Sequence, residues 1–395
     1  MKNLDLKTWG AALILGGTAL GAGMLALPVV TAQAGFLPSL LIYCICWAFS
    51  ACTGLLFVEI CLWMPQDANI ISMAAHLLGR FGKIFAWVLY LFLFYSLSVA
   101  YVAGGGGFVA QILDLPAWLG SLLFVLVFGG IVISGTRSVD RINWLLMAGL
   151  IISFLMFVAV GFGKVKPGLA MRFNLWPAFL ALPVIFTSFS YQGTVPSIVS
   201  YLNRDGAKVR KAILYGTAIP FVAYVIWEYL ILGIIPLSGK YGLLMAKQEH
   251  LKAVDPLKHI LIDSPIYAIG QFFSFFALTT SFLGVTLGLM DFMSDGLQIA
   301  KKGARKYLLA AIVFVPPLII TFINPNLFYK ALGYAGGVGC ALLLGFLPVL
   351  MTWVGRYKLD YPSINRQLPG GKGLLLILMG FIVFELIMEL ISELL

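Results

Sequence analysis

Gly16-Gly17-Thr18-Ala19-Leu20-Gly21-Ala22-Gly23-Met24-Leu25-Ala26-Leu27-Pro28 occupies the middle of the first apolar run of the chain, where a bilayer midplane would fall. Glycine and proline are poor helix formers, and a straight membrane helix has no use for so many. The stretch therefore reads as a break in a spanning helix. Its freed backbone groups are then available to bind something.

Composition sets the solvent. The 395 residues are 61% hydrophobic and 11% charged. A soluble domain is nearer half apolar and a quarter charged, so this is an all-α polytopic membrane protein. Apolar runs recur throughout, which makes residues 1–395 one membrane domain. The net charge of +10 does not point to nucleic acid, because no continuous basic face exists. Cys44, Cys46, Cys52, Cys61 and Cys340 lie in or beside apolar spans, with no disulfide or metal spacing. Ala32-Gln33-Ala34 imitates a signal-peptidase site, but the preceding run is too long and glycine-rich for cleavage to be expected.

At about 20 apolar residues per crossing, eleven transmembrane helices are expected, at roughly 9–32, 36–63, 84–113, 117–135, 143–163, 178–201, 212–236, 266–293, 307–324, 328–354 and 373–392. With a cytoplasmic N-terminus, the inner segments hold most of the Lys and Arg. The outer ones hold Lys164, Lys166, Arg172, Lys240, Lys247, Lys252, Lys258 and Lys330. That bias predicts a cytoplasmic N-terminus and a periplasmic C-terminus. Residues 66–82 suit a short amphipathic helix on the inner surface, and 238–265 a helical cap or a plain loop outside.

The sixth span carries a second anomaly, Thr187-Ser188-Phe189-Ser190-Tyr191-Gln192-Gly193-Thr194-Val195-Pro196-Ser197. Pro196 lacks an N–H and disfavours helix at Val195. Helices 1 and 6 lie five spans apart and so cross in opposite directions. Repeats at about 9–163 and 178–354 would therefore be inverted, with 373–392 an extra helix. Paired interruptions of this kind mark a transporter's binding site. The plainer alternative is close helix packing through small residues. An unwound half-helix N-terminus suits an anion. The N–H groups of Ala22, Gly23 and Met24, beside Thr18 and Gly21, are expected to hold an amino-acid carboxylate. The carbonyls near Phe189 and Ser190 would receive its ammonium. Leucine at Gly23 is then expected to abolish binding while leaving folded yield nearly intact.

These same residues carry a resemblance. Gly17 to Pro28 is similar to the first-helix signature of the hydroxy and aromatic amino-acid permeases. Thr187 to Tyr201 resembles their sixth helix, Ala277 to Asp291 their eighth, and Gly333-Tyr334-Ala335-Gly336 the start of their tenth. The similarity spans nearly the whole chain and is nearest the tyrosine-specific members. It implies the amino acid–polyamine–organocation fold, with five-plus-five inverted repeats like the bacterial leucine transporter. It also implies proton-coupled symport across the bacterial inner membrane. Gln192 stands where some members carry histidine.

An aromatic substrate, tyrosine first and tryptophan or serine as alternatives, needs an apolar slot with a polar end. Tyr95 and Tyr101 of helix 3, and Phe189, Tyr191, Gln192 and Gly193 of helix 6, are the candidates. No cofactor is expected beyond the coupling ion. For a proton, Glu59 and Glu228 are the candidate carboxylates, and Glu385, on the peripheral last helix, reads as a packing or oligomer contact. His76, His250 and His259 fall in loops. For sodium, the carbonyls of Gly16, Ala19 and Ala277 and the hydroxyls of Thr280 and Ser281 resemble the second sodium site of the leucine-transporter fold. The alternative is that the hydroxyls bond back to their own helix. A channel would need a continuous polar lining, and an enzyme a catalytic cluster. The sequence shows neither.

Overall fold

The computed structural model describes residues 6–65, 68–262 and 264–394. Lys2, the first two residues of the 66–82 segment and position 263 lie outside the described residues. Among the described residues there is helix and no strand. Nine helices are long and apolar enough to cross a membrane, or ten if one bent pair counts as a single span. That pair is α1 (Leu6–Ala19) and α2 (Gly23–Val30), which meet at 55°. The glycine-rich stretch lies at the bend.

The long helices follow in order: α3 (Phe36–Trp63), α4 (Ile70–Leu113), α5 (Ala117–Ser134) and α6 (Thr136–Gly161). The predicted sixth span is three short pieces, α7 (Leu175–Leu180), α8 (Leu182–Ser188) and α9 (Val195–Tyr201). Each is too short to span by itself. Then come α10 (Gly206–Ile234), α11 (Leu243–Gln248), α12 (Ile266–Leu297), α13 (Arg305–Ile323), α14 (Phe328–Tyr357) and α15 (Lys372–Leu394). Several helices run past the predicted spans into charged sequence, because hydropathy marks the lipid-soluble part of a helix and not its capped ends.

The small residues set how closely these helices approach. A Cβ on Gly216 of α10 would fall 2.7 Å from the Ala12 carbonyl of α1, so the two backbones nearly touch. Gly105 and Gly106 face Phe124 and Ser121 of α5 in the same way, which is the close packing expected of the four-glycine run. Outward side chains such as Leu13, Leu41, Trp144, Ile152 and Leu155 are exposed and apolar, as a lipid-facing belt requires.

The two uncertain loops are structured. Asn69 and Ser72 exchange a reciprocal capping pair that starts α4, and Gly79 (φ +71°) separates its first two turns from the spanning part. In the 238–265 loop, α11 packs on α2, and Leu243, Ala253, Val254 and Leu257 are buried. It is a packed cap rather than a plain loop. Burial lowers the Lys252 ammonium from its usual range, an effect that Asp255 partly offsets.

Glu59 sits in a place that hydropathy did not reveal. Its carboxylate takes a two-pronged bond from Arg356 at 2.7 and 2.6 Å, with both side chains buried. The same guanidinium donates to the Leu368 and Gly370 carbonyls, which ties the loop before α15 to α3. Arg356, two residues past the predicted tenth span, is an internal clasp. Removing one partner of a buried pair costs about 3–5 kcal/mol, whereas replacing both by apolar groups is often neutral. Glu59→Ala or Arg356→Ala should therefore lower the thermal unfolding temperature of the purified protein sharply, and Glu59→Leu with Arg356→Met should recover most of the loss. Equal instability of the double variant would contradict this account.

Candidate functional site

The two interrupted segments face each other. Between them lies a cavity of about 40 Å³, lined by Thr18, Ala19, Gly21, Ala22 and Gly23 from the first, Thr187, Ser188 and Ser190 from the second, Leu97 and Tyr101 from α4, and Ser281 from α12. The lining holds no charged side chain. A larger concavity, about 540 Å³, is an open surface groove beside Arg204, Arg210 and Lys211 and is remote from both breaks. The small cavity is the one at the breaks. It is far below the roughly 300 Å³ of an ordinary ligand pocket, so it is closed around water-sized space.

The hydrogen bonds explain why the breaks persist in an apolar setting. The Tyr224 hydroxyl of α10 reaches the Ala19 carbonyl (2.5 Å) and the Ser188 carbonyl (2.8 Å), one from each break. The Ala22 N–H donates to Ser281 Oγ at 3.1 Å. Met24 and Leu25 donate to the Gly21 and Ala22 carbonyls in a tight turn. Ser190 Oγ donates to the Thr187 carbonyl, and Thr187 Oγ1 to those of Pro183 and Leu332. Left without a hydrogen-bond partner among the described residues are the N–H of Gly21 and Gly23 and the carbonyls of Gly17, Thr18 and Leu20 on one segment, and the carbonyls of Phe189 and Ser190 and the N–H of Gln192 and Gly193 on the other. Of these, the Gly21 and Gly23 N–H groups on the first segment and the Ser190 carbonyl on the second belong to residues that line the cavity.

Of the residues the sequence analysis named for the substrate, Thr18, Gly21, Ala22, Gly23, Tyr101 and Ser190 line the cavity. The rest of that set lies elsewhere. Tyr95 donates to the Ile312 carbonyl and ties α4 to α13. Tyr191 donates to the Ser50 carbonyl. Gln192 turns back to accept from the Tyr191 N–H while its amide donates to Thr53, so it repairs the break and docks it on α3. Phe189 packs edge-on against Tyr43 and Tyr224. Met24 is buried, and Gly193 is exposed. Leu97, Thr187 and Ser188 were missed, because nothing in their type or spacing marks them; only the three-dimensional turn of each helix does.

The sodium candidates are engaged otherwise here. Gly16 O accepts from Leu20 N–H, Ala19 O from Tyr224, and Thr280 Oγ1 bonds back to Phe276 and Ala277. Glu228 lies at the far end of α10, with Thr31 Oγ1 on one oxygen (2.5 Å) and the Tyr43 hydroxyl on the other (2.8 Å). It joins α2, α3 and α10 and is buried.

Two broken segments enclosing an uncharged polar cavity inside an all-helical membrane protein define a solute transporter. The chain belongs to the tryptophan/tyrosine permease family, whose model matches residues 5–389. It is 34% identical to the tyrosine-specific transport system 2 of Haemophilus influenzae, over 98% of both chains. It is 31% identical to a tryptophan-specific transport protein of Pseudomonas aeruginosa, over 98% of this chain and 94% of that one. Among solved structures it resembles MhsT in complex with L-phenylalanine (TM-score 0.64, 15% identity, 98% of this chain and 97% of that one). It also resembles the Eremococcus coleocola manganese transporter (TM-score 0.61, 15% identity, 98% and 86%). These two likenesses show the leucine-transporter-like fold.

The cavity wall also revises the expectation for Gly23. A Cβ there would fall 2.5 Å from Ser188 Oγ and 3.2 Å from Ser188 Cα. A larger residue must push the two breaks apart, so it cannot leave folding untouched. Gly23→Ala should lower both substrate affinity and unfolding temperature. Adding Ser188→Gly, which removes the clashing side chain, should restore the temperature; no recovery in thermal scans of the double variant would contradict this packing.

Proposed function

We propose that this protein is a secondary active symporter that imports an aromatic amino acid, L-tyrosine first, across the bacterial inner membrane by alternating access. The observation that carries the reading is the uncharged cavity with unpaired N–H groups on one break and unpaired carbonyls on the other. A zwitterion matches that pattern. Its carboxylate would lie at Gly21 to Gly23, at the N-terminus of α2, where the helix dipole favours a negative charge. Its ammonium would lie at the Phe189 and Ser190 carbonyls. The tyrosine-specific and tryptophan-specific names of the relatives support an aromatic side chain, which Leu97 and Tyr101 would flank. The closed cavity must widen to admit it, so loading is coupled to a change of shape.

In the full reading there are eleven spans, with α7 to α9 as the sixth, two inverted repeats at 9–163 and 178–354, a cytoplasmic N-terminus and a periplasmic C-terminus. The driving ion is a proton. Glu228 suits the role better than Glu59, whose carboxylate is held by Arg356. Thr31 Oγ1 carries one hydrogen and touches both Leu27 O and Glu228. When it donates to Leu27, the short contact requires Glu228 to bring the proton; when Glu228 is ionised, Thr31 turns to it. The carboxyl group can therefore gain or lose a proton while altering its hold on α2. Sodium is the alternative driver and tryptophan the alternative substrate.

For one proton per substrate, a gradient of one pH unit supports about a tenfold accumulation. Proteoliposomes holding the purified protein should concentrate radiolabelled tyrosine when the outside is made acid. Uptake driven by sodium and not by acid would overturn proton coupling, and uptake of tryptophan or serine without tyrosine would overturn the substrate.

A further inference from the structure

Three acidic residues of α15, Glu385, Glu389 and Glu393, recur every four residues and so share one face of the helix. Successive members are about 6 Å apart along its axis. The face points inward, against α14 and α3, not toward lipid. Glu385 is 1% exposed and Glu389 6% exposed. Neither carboxyl oxygen of Glu385 has a hydrogen-bond partner among the described residues. An ionised carboxylate without a donor or cation is far costlier in an apolar interior than the neutral acid, so this group is built to hold a proton.

The surroundings make a slot for it. A Cβ on Gly337 of α14 would fall 2.6 Å from the Glu389 carboxyl carbon, and one on Gly333 would fall 3.5 Å from its oxygen. These glycines, one turn apart, leave the room that Glu389 fills. At the outer end the row meets Tyr334, whose hydroxyl donates to Glu393 at 2.9 Å, and Lys330, 3.9 Å from the same carboxylate. α15 also packs on α8, the first half of the second break. Thr187 of α8, which lines the cavity, donates to the Leu332 carbonyl of α14. Helices α7 and α8, which also pack on α15, bring no titratable group to it. Lys372, at the opposite end of α15, lies over the Trp353 and Tyr357 rings.

We propose that Glu385 and Glu389 form a proton-binding site that couples the ion to the second break. A proton taken from water at the Glu393 end is held as an O–H on Glu385. The packing of α15 on α8 and α14, which the Thr187–Leu332 bond ties together, conveys its presence to the cavity wall, and the same O–H bond gives the proton back to water after the protein reorients. No other bond is made or broken. This site rests on the proton-driven reading and adds to it a pathway along the peripheral helix, where packing or oligomer contact had been expected.

The test separates binding from coupling. In proteoliposomes, Glu385→Gln, which mimics the neutral acid, should keep tyrosine counterflow within about twofold of the unsubstituted protein. Its acid-driven accumulation should fall from about tenfold to near none. Glu389→Gln should lose accumulation in the same direction, and it serves as the test should the first variant fail to fold. Full acid-driven accumulation by either folded variant would overturn the proposal while leaving the symporter reading intact. Loss of counterflow together with accumulation would also overturn it, by showing a structural role. Absence of acid-driven accumulation in the unsubstituted protein would overturn the symporter reading and this site with it.

Discussion

One hydroxyl group joins the two halves of the site. Tyr224 stands between the Ala19 and Ser188 carbonyls, each the last backbone oxygen before its helix is interrupted. Inside a bilayer no water is available to satisfy such groups, and leaving one bare costs several kcal/mol. The two breaks are therefore drawn together around one hydroxyl, whose single hydrogen the two carbonyls share. Other groups do the same work nearby. Ser281 takes the Ala22 N–H, Gln192 takes the Tyr191 N–H, and Thr187 reaches Leu332. The groups still left over include the Gly21 and Gly23 N–H and the Phe189 and Ser190 carbonyls. They are what a ligand can use.

The same constraint governs the charges. Glu59 is answered in full by Arg356 and serves as a clasp. Glu228 is answered by two hydroxyls, which can serve a carboxylate or a neutral acid. Glu385 is answered by none. The degree of satisfaction thus grades three buried carboxyl groups from structural to protonatable. Those with the weakest partnership lie where a proton can change something, Glu228 at the end of α2 and Glu385 behind the second break.

Much of this was legible in the sequence because it depends on backbone. Glycine, small polar residues and proline in an apolar run mark a candidate break wherever they stand, so both stretches could be singled out by residue type. Side-chain direction did not follow. Tyr95 and Tyr101 look equivalent in the sequence, yet one ties α4 to α13 and the other faces the cavity, because rotation about the α4 axis is set by its neighbours. Gln192 looked like a substrate partner since it is polar and in the break, but the break itself claimed it. Arg356 fell outside the predicted tenth span, which was expected to end at 354, so hydropathy gave no sign that it is buried. The unpaired Glu59 in an apolar span was the signal that a buried cation had to exist. The regular spacing of Glu385, Glu389 and Glu393 was visible too, but the glycines opposite them became meaningful only with α14 in place.

The central claim is that backbone donors at the first break hold the carboxylate of the substrate. The most direct measurement is competition against radiolabelled L-tyrosine binding to the purified protein by tyramine, which keeps the phenol and the ammonium and lacks the carboxylate. A site built on the Gly21 and Gly23 N–H groups predicts that unlabelled L-tyrosine displaces the label and tyramine does not, at any concentration within about a hundredfold of the tyrosine Kd, a loss of about 2.7 kcal/mol or more. Displacement by tyramine as effective as that by tyrosine would show that the first break does not read the carboxylate.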